Sequence, residues 1–330
     1  MKKFISILGS TGSIGLNTLS IVSNKKSNFK TNILAADKNY NLICKQIVKF
    51  KPRVFLINNF KTFQKVKKRF KNQKVKIINK LEPNGKNLKR SFISVAAIPG
   101  IAGLKPTLEL ITKSDKVLIA NKESVICGWE LIKKTATKYK TKLVPIDSEH
   151  FSIMKILDNH NISDVKKIYL TASGGPFLNY NISKLKNVKP HLAIKHPKWK
   201  MGKKISVDSA TLMNKLLEVI EAHKLFNINL DKIDIIIHPQ SLVHAIIEFK
   251  NGLFKFIYHE TTMLIPLINA MLEKNFIIDD YLNNKKDYKN FIFFQNLNFL
   301  KVDRKKFPIV QLKNRLNEFA STPIIINAAN

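Results

Sequence analysis

The sequence predicts an α/β fold, with a doubly wound parallel sheet in its N-terminal half, and three observations predict it. Short runs of Ile, Leu, Val and Phe alternate with stretches of helical apolar spacing. The apolar runs read as strands buried on both faces, as parallel strands covered by helices are. A glycine-rich turn, Gly9 to Gly15, sits directly between the first strand and the first helix. At 330 residues the chain suits two domains, or three small ones.

The elements follow in order. Phe4–Leu8 reads as a buried strand, and Ser13–Ser23 as a helix with apolar Ile14, Leu16, Leu19, Ile21 and Val22. Asn32–Ala36 is the second strand. Asn41–Phe50 is a helix stopped by Lys51-Pro52. Val54–Ile57, Val75–Ile78 and Ser91–Ile98 are further strands, with Pro106–Thr112 as the next helix. Lys116–Ala120 is a strand, Trp129–Tyr139 a helix and Leu143–Ile146 a strand. Beyond it, Phe151–Leu157 reads as helix, Ile168–Ala172 as strand, Thr211–Phe226 as one strong helix, and Ile233–Ile237 and Phe254–Tyr258 as strands. The stretch from Phe177 to Lys204 has little periodicity.

Composition narrows the class. Hydrophobic residues make up 45%, enough for real cores, which excludes a disordered tail or a disulfide-stapled mini-protein. Cys44 and Cys127 fit neither a disulfide framework nor a metal knuckle. Lys+Arg number 57 against 23 Asp+Glu, a formal charge of +34. That charge suits a polyanion-binding protein. The reading preferred is drift toward A- and T-rich codons, since lysine is scattered and accompanied by Asn, Ile and Phe. The densest patch, Lys61 to Lys76, reads as a solvated helix face, and no nucleic-acid-binding fold accompanies it. The apolar run after Lys2 and Lys3 is too short for a signal peptide, and no run approaches a membrane span. A soluble, cytoplasmic protein with neither a nucleic-acid nor a membrane partner is expected.

Several motifs carry chemistry. Gly9-Ser10-Thr11-Gly12-Ser13-Ile14-Gly15 is a relative of the dinucleotide fingerprint. There the amides of Thr11, Gly12, Ser13 and Ile14 face a pyrophosphate. A plain tight turn is the alternative. After the second strand stand Asp37, Lys38 and Asn39. An acid there suits the ribose hydroxyls of NAD and a base the 2′-phosphate of NADP, so the residues alone leave the cofactor open. Asp147-Ser148-Glu149-His150 follows a strand end, where ligands of open α/β sheets bind. Its two carboxylates suit Mg²⁺ or Mn²⁺; a helix N-cap is the alternative. Ser173-Gly174-Gly175-Pro176 offers a phosphate turn or an ordinary one. His196-Pro197-Lys198-Trp199-Lys200-Met201-Gly202 suits a closing lid or a loop that tucks Trp199 inward. Ser209, Asn214 and Lys215 could cradle a phosphate, with Glu218 as a third metal oxygen. The alternative is an exposed Lys215–Glu218 ion pair. His238 and His244 read as structural histidines.

Taken together, the motifs resemble the 1-deoxy-D-xylulose 5-phosphate reductoisomerase family. The resemblance rests on LGSTGSIG (Leu8–Gly15), ANKES (Ala120–Ser124), VPIDSEH (Val144–His150), ASGGPF (Ala172–Phe177), HPKWKMG (His196–Gly202), KISVDSATLMNK (Lys204–Lys215) and IHPQSLVH (Ile237–His244). It implies NADPH- and divalent-metal-dependent isomerisation and reduction of 1-deoxy-D-xylulose 5-phosphate to 2-C-methyl-D-erythritol 4-phosphate. By resemblance Thr11, Gly12, Ser13, Ile14, Asp37, Lys38, Asn39, Asn121, Glu123 and Gly202 fall to the cofactor. Asp147, Glu149 and Glu218 fall to Mn²⁺ or Mg²⁺. Lys122, Ser148, Glu149, Ser173, His196, Ser209, Asn214, Lys215 and Glu218 fall to the phosphosugar. Lys122, Asp147, Glu149 and Glu218 are the expected catalytic group, and Trp199 matches the lid tryptophan.

The implied layout is a Rossmann-like NADPH domain over 1–147, an α+β catalytic and connective domain with the lid over 148–272, and a linker with a truncated C-terminal helical region over 273–330. A homodimer is expected. Two departures from the family pattern stand out. Asp37 replaces a glycine, and His259-Glu260-Thr261-Thr262-Met263-Leu264-Ile265-Pro266 keeps only Met263 and Pro266 of a Gly-x-Pro-Asp-Met-Arg-x-Pro run. An NADP-dependent dehydrogenase of another substrate is the competing enzyme reading, and a basic nucleic-acid-binding protein the competing non-enzyme one.

Overall fold

The computed structural model describes residues 2–80, 89–199, 202–272, 276–282 and 296–330. In chain order the first half runs β1 (Lys3–Leu8), α1 (Ser13–Ser23), β2 (Phe29–Ala36), α2 (Tyr40–Phe50), β3 (Val54–Ile57), α3 (Phe60–Arg69), β4 (Lys76–Ile78), β5 (Ser91–Ala96), α4 (Leu104–Ile111), β6 (Ser114–Ile119), α5 (Lys122–Tyr139) and β7 (Lys142–Pro145). There follow α6 (Ser148–Leu157), β8 (Val165–Ala172), the single turns α7 (Ile182–Leu185) and α8 (Pro190–Ala193), α9 (Lys203–Thr211), α10 (Met213–Phe226), β9 (Ile233–Ile237), β10 (Val243–Phe249), β11 (Phe254–Tyr258), α11 (Leu264–Met271), β12 (Leu300–Lys301) and α12 (Thr322–Ala329).

The chain divides into two compact units. The first comprises Met1–Ser124, Gly128–Ile146 and Pro266–Asn283, the second Val125–Cys127, Asp147–Ile265 and Asn284–Asn330. The first holds a seven-stranded sheet in the order β4-β3-β2-β1-β5-β6-β7. Every pairing in it is parallel. The order reverses between β1 and β5, the point at which open α/β sheets bind ligands. Ile5, Ile7 and Leu8 of β1 are wholly buried, and so is Ser6 between them. Ser6 is paired: its Oγ lies 2.7 Å from Ser91 Oγ, and Asn32 Nδ2 donates to that same Ser91 oxygen at 2.9 Å. On α3 only Thr62 and Val66 are buried, so its lysines form a solvated face.

The second unit holds a mixed five-stranded sheet, β11-β10-β8-β9-β12, in which only β8 and β9 run parallel. Leu216, Leu217, Val219, Ile220 and Ala222 of α10 share its core cluster with β8, β9 and β10. Burying such an aliphatic face is what stabilises the helix. Among the described residues no helix is long and apolar enough to cross a membrane.

Three local readings change. The helix expected over about Thr211–Phe226 is α10, Met213–Phe226; a further helix, α9 (Lys203–Thr211), precedes it, the two parted at Leu212, whose φ of 63° is left-handed. The polar run SVDSAT hides α9 from an apolar periodicity test. The helix expected at Trp129–Tyr139 begins at Lys122, capped by Asn121, and kinks at Gly128. β10 is an additional strand, whose apolar pattern His244 and Glu248 interrupt.

Candidate active site

In the first unit the loop after β1 is built by glycine. Gly9 has a φ of 79°, and any Cβ there would run into the Ala97 carbonyl. A Cβ on Gly15 would strike the Gly9 carbonyl and the Ser10 backbone. Ser10 Oγ donates to Gln46 Oε1 at 2.7 Å, and Gln46 Nε2 donates back to the Ser10 carbonyl at 2.8 Å, which fastens the loop to α2. Gly12 takes the N-cap of α1 with no side-chain bond to the helix. No side chain therefore occupies the α1 amides that follow Gly12, Ser13 and Ile14 among them, as an anion site requires.

At the end of β2, Asn58 Nδ2 donates to Asp37 Oδ1 at 3.2 Å. Asn39 caps α2, accepting the Leu42 amide at 3.1 Å on its side-chain oxygen. Asn121 is buried and engaged at both ends of its amide. It accepts the Ser124 N–H at 2.7 Å, and donates to the Gly100 carbonyl at 2.9 Å and to the Ile98 carbonyl. Its side chain thus shapes the start of α5. Lys122 is buried in the first turn of that helix, beside Glu123.

The second unit brings together carboxylates remote in sequence. Asp147 takes the N-cap of α6 but makes no capping bond, so the capping alternative does not account for its carboxylate. Asp147, Glu149 and Glu218 offer oxygens that all lie within 4.8 Å of one another. Lys215 Nζ lies 2.5 Å from both Glu149 Oε1 and Glu218 Oε2. Lys215 is 5% exposed and Glu218 is 1% exposed, so the surface-pair alternative fails: these charges are held inside the protein. Ser148 donates to Glu149 Oε2 at 2.7 Å, and Asn214 donates to Glu218 Oε1.

Burial, then the charge of Glu218, pushes the Glu149 carboxyl up to about 8, although Lys215 pulls the other way. Burial opposes the Lys215 charge, but Glu149 and Glu218 outweigh it and raise its pKa. With all three acids ionised, three carboxylates against one ammonium carry a formal charge of −2. An all-oxygen donor set without sulfur suits a hard divalent cation.

Beside this cluster lies a polar turn. His196 Nδ1 accepts the Lys198 and Trp199 amides at 3.1 and 2.8 Å. Its proton therefore sits on Nε2, which donates to Ser173 Oγ at 2.9 Å. Ser173 Oγ also accepts the Gly175 amide at 3.1 Å, so its own hydroxyl proton is left for another acceptor. Burial, then the Lys215 charge, lowers the His196 pKa to about 4. Gly175, with a φ of 65°, abuts Ser209: a Cβ there would lie 2.7 Å from the Ser209 carbonyl. Ser173, His196 and Ser209 thus share one neighbourhood. Gly202 N-caps α9, and among the described residues other than its chain neighbours no atom lies within 4 Å of its missing Cβ; residues 200–201 of the expected lid fall outside the described residues.

Sequence reasoning gave no role to three neighbours of the site, His150, Glu221 and His259, and read His244 as structural. Buried His150 places Nδ1 3.3 Å from Glu221 Oε2 and Nε2 3.0 Å from the Glu218 carbonyl. The signal for Glu221 was its position three residues after Glu218 on one helix face. His244 meets the Trp199 ring edge-on at 5.9 Å between centroids and stacks on His259 at 4.1 Å. The signal for His259 was its place at a glycine of the family pattern.

Comparison with known proteins agrees across the chain. The family model for 1-deoxy-D-xylulose 5-phosphate reductoisomerase matches residues 5–128, and that for the C-terminal domain of the same enzyme matches residues 143–226. The chain is 46% identical over 336 residues to the 1-deoxy-D-xylulose 5-phosphate reductoisomerase of Pelagibacter ubique (strain HTCC1062), covering 100% of this chain and 84% of the relative. It is 39% identical to the enzyme of that name from Clostridium novyi (strain NT), covering 99% and 85%. A crystal structure of DOX-P reductoisomerase in complex with NADPH, fosmidomycin and magnesium superposes with a TM-score of 0.87 at 30% identity, covering 99% of this chain and 82% of that one. The Zymomonas mobilis reductoisomerase in complex with NADPH gives 0.87 at 30% identity, covering 100% and 85%.

Proposed function

The chain belongs to the 1-deoxy-D-xylulose 5-phosphate reductoisomerase family, and from that premise we propose how its own residues divide the work. The reaction is the isomerisation and reduction of 1-deoxy-D-xylulose 5-phosphate to 2-C-methyl-D-erythritol 4-phosphate, a step toward isoprenoids, with NADPH and a divalent cation as cofactors. When bound, NADPH supplies hydride to the carbonyl carbon formed by the rearrangement. When bound, the cation supplies Lewis-acid polarisation of the substrate's ketone and neighbouring hydroxyl oxygens.

The glycine loop supports pyrophosphate binding by Thr11, Gly12, Ser13 and Ile14. Lys38 and Asn39 take the 2′-phosphate end, with Asp37 beside them. Asn121, Glu123 and Gly202 complete the cofactor set, Asn121 by shaping the α5 start. Asp147, Glu149 and Glu218 hold the cation. The outward hydroxyl proton of Ser173, the Lys215 ammonium and the donors of Ser209 and Asn214 suit a phosphate monoester. Neutral His196 holds Ser173 in that orientation, and Ser148 orients Glu149 through their hydrogen bond. Lys122 is assigned proton or charge duty on the reacting oxygens. Phosphate contacts remote from the reacting carbons put binding energy into orientation.

We keep the three-part layout, 1–147, 148–272 and 273–330, as a proposal. So is a cytoplasmic homodimer: β11 is an edge strand whose Phe254 and Phe256 are exposed, a face suited to a second copy.

The observation that carries the reading is the convergence of three carboxylates on one small volume, with Lys215 already between two of them. The test is loss of NADPH absorbance on adding 1-deoxy-D-xylulose 5-phosphate, with Mn²⁺, with Mg²⁺ and with chelator. Turnover that needs the cation, together with calorimetric Mn²⁺ binding lost in Glu218→Gln, is the expected outcome. Turnover indifferent to chelator would refute the metal assignment.

A further inference from the structure

We propose that Asp37 relaxes the cofactor choice of this chain, so that it binds NADH nearly as well as NADPH. The proposal rests on reading the glycine loop as the nucleotide site and adds a specificity-determining residue to it. Asp37 directly follows β2, which ends at Ala36 and pairs with β1, so it lies at the same carboxyl edge of the sheet as the glycine loop. It stands about 20 residues beyond the glycines, where an acid in this fold accepts the ribose hydroxyls of a dinucleotide.

The structure holds the carboxylate in place. Asn58 Nδ2 donates to Oδ1 at 3.2 Å, which leaves Oδ2 to accept from a hydroxyl. The next two residues make the opposite demand. Lys38 carries an ammonium suited to a 2′-phosphate. Asn39 has committed its side-chain oxygen to the Leu42 amide, so what it presents is the N–H₂ end, a donor toward the same phosphate. Three consecutive residues therefore recognise both forms of the ribose. An acid alone would repel the 2′-phosphate, and a base alone would leave the 2′-hydroxyl without a charged acceptor. Asp37, Lys38 and Asn39 are all exposed, so water and salt screen the repulsion between Asp37 and the 2′-phosphate. The penalty for either cofactor is then small.

The test measures direct binding of NADPH and NADH to the substrate-free protein by reduced-nicotinamide fluorescence, and then turnover with each. The expected ratio of the two dissociation constants lies within about tenfold, the scale of one charge-assisted hydrogen bond. Asp37→Asn, which preserves the shape and a partner for Asn58, is expected to weaken NADH and tighten NADPH, shifting that ratio by roughly tenfold toward NADPH. Lys38→Ala is expected to shift it the other way. NADH bound more than about a hundredfold more weakly than NADPH by the unmodified chain would overturn the proposal, on the same scale. So would a ratio that Asp37→Asn leaves unchanged. Failure of both nucleotides to bind would overturn it together with the nucleotide-site reading. NADPH-only turnover of 1-deoxy-D-xylulose 5-phosphate would overturn it and leave the family reaction standing.

Discussion

The two units carry their proposed sites for charged ligands by opposite means. In the first, the proposed anion site is made of backbone. Gly9 and Gly15 let the chain turn tightly after β1, and α1 presents amides that no side chain caps. In the second, the site is made of ionisable side chains brought inside, with Lys215 wedged between Glu149 and Glu218. Backbone dipoles are neutral and cost little to prepare, whereas buried charges are stable only while they remain balanced. The first site should therefore respond to changes of shape, and the second to changes of charge.

The largest expected effect comes from unbalancing the second unit. Lys215→Ala leaves two buried carboxylates facing each other, at a cost of about 3–5 kcal/mol. Urea unfolding should show this loss, and Mn²⁺ should restore part of it. A variant as stable as the parent would mean that water, rather than the ammonium, balances the acids.

Gly15→Ala probes the first unit by shape alone. Its Cβ meets the Gly9 carbonyl, so backbone must move, at about 1–3 kcal/mol. Dinucleotide affinity should fall with stability, while Mn²⁺ affinity should not. Unchanged nucleotide binding would break the contrast between the units.

A smaller effect is expected from His259→Ala. It removes the ring stacked on His244, worth about 0.5–1.5 kcal/mol beyond the area buried. Fluorescence of Trp199, whose ring rests on His244, should change, whereas an unaltered spectrum would separate His259 from the tryptophan.

Acid probes the second unit more gently. His196 takes a proton near 6.5 when unfolded but only near 4 when folded. Between those values the unfolded chain binds more protons, so stability falls as pH drops from about 6.5 toward 4. Above that window the group contributes no pH dependence. The imidazole midpoint read by NMR checks the shift, and His196→Gln should flatten that part of the stability profile.

The same contrast explains how much could be read beforehand. The parallel sheet was legible because each strand is a local apolar run, and the glycine loop because its backbone chemistry is contiguous. The acids at Asp147, Glu149 and Glu218 were legible as motifs, and family resemblance joined them. Spacing alone could not tell a buried Lys215–Glu218 pair from a surface one, since i and i+3 look alike in both settings. The roles of His150 and Glu221 depend on packing between α6 and α10, which no local pattern encodes. α9, and with it the joint at Leu212, was invisible for a related reason: its run KKISVDSAT is too polar to show an apolar helical period.

That joint constrains how the protein can be improved. Leu212 is buried in the core of the second unit with a backbone angle that glycine would adopt freely. Holding a leucine so costs about 1–2 kcal/mol. A glycine would release that tension yet empty a leucine-sized space, costing about 2–5 kcal/mol by analogy with leucine-to-alanine replacement. The larger number wins. An engineer seeking thermal robustness should leave position 212 alone, since the contorted residue is also the plug.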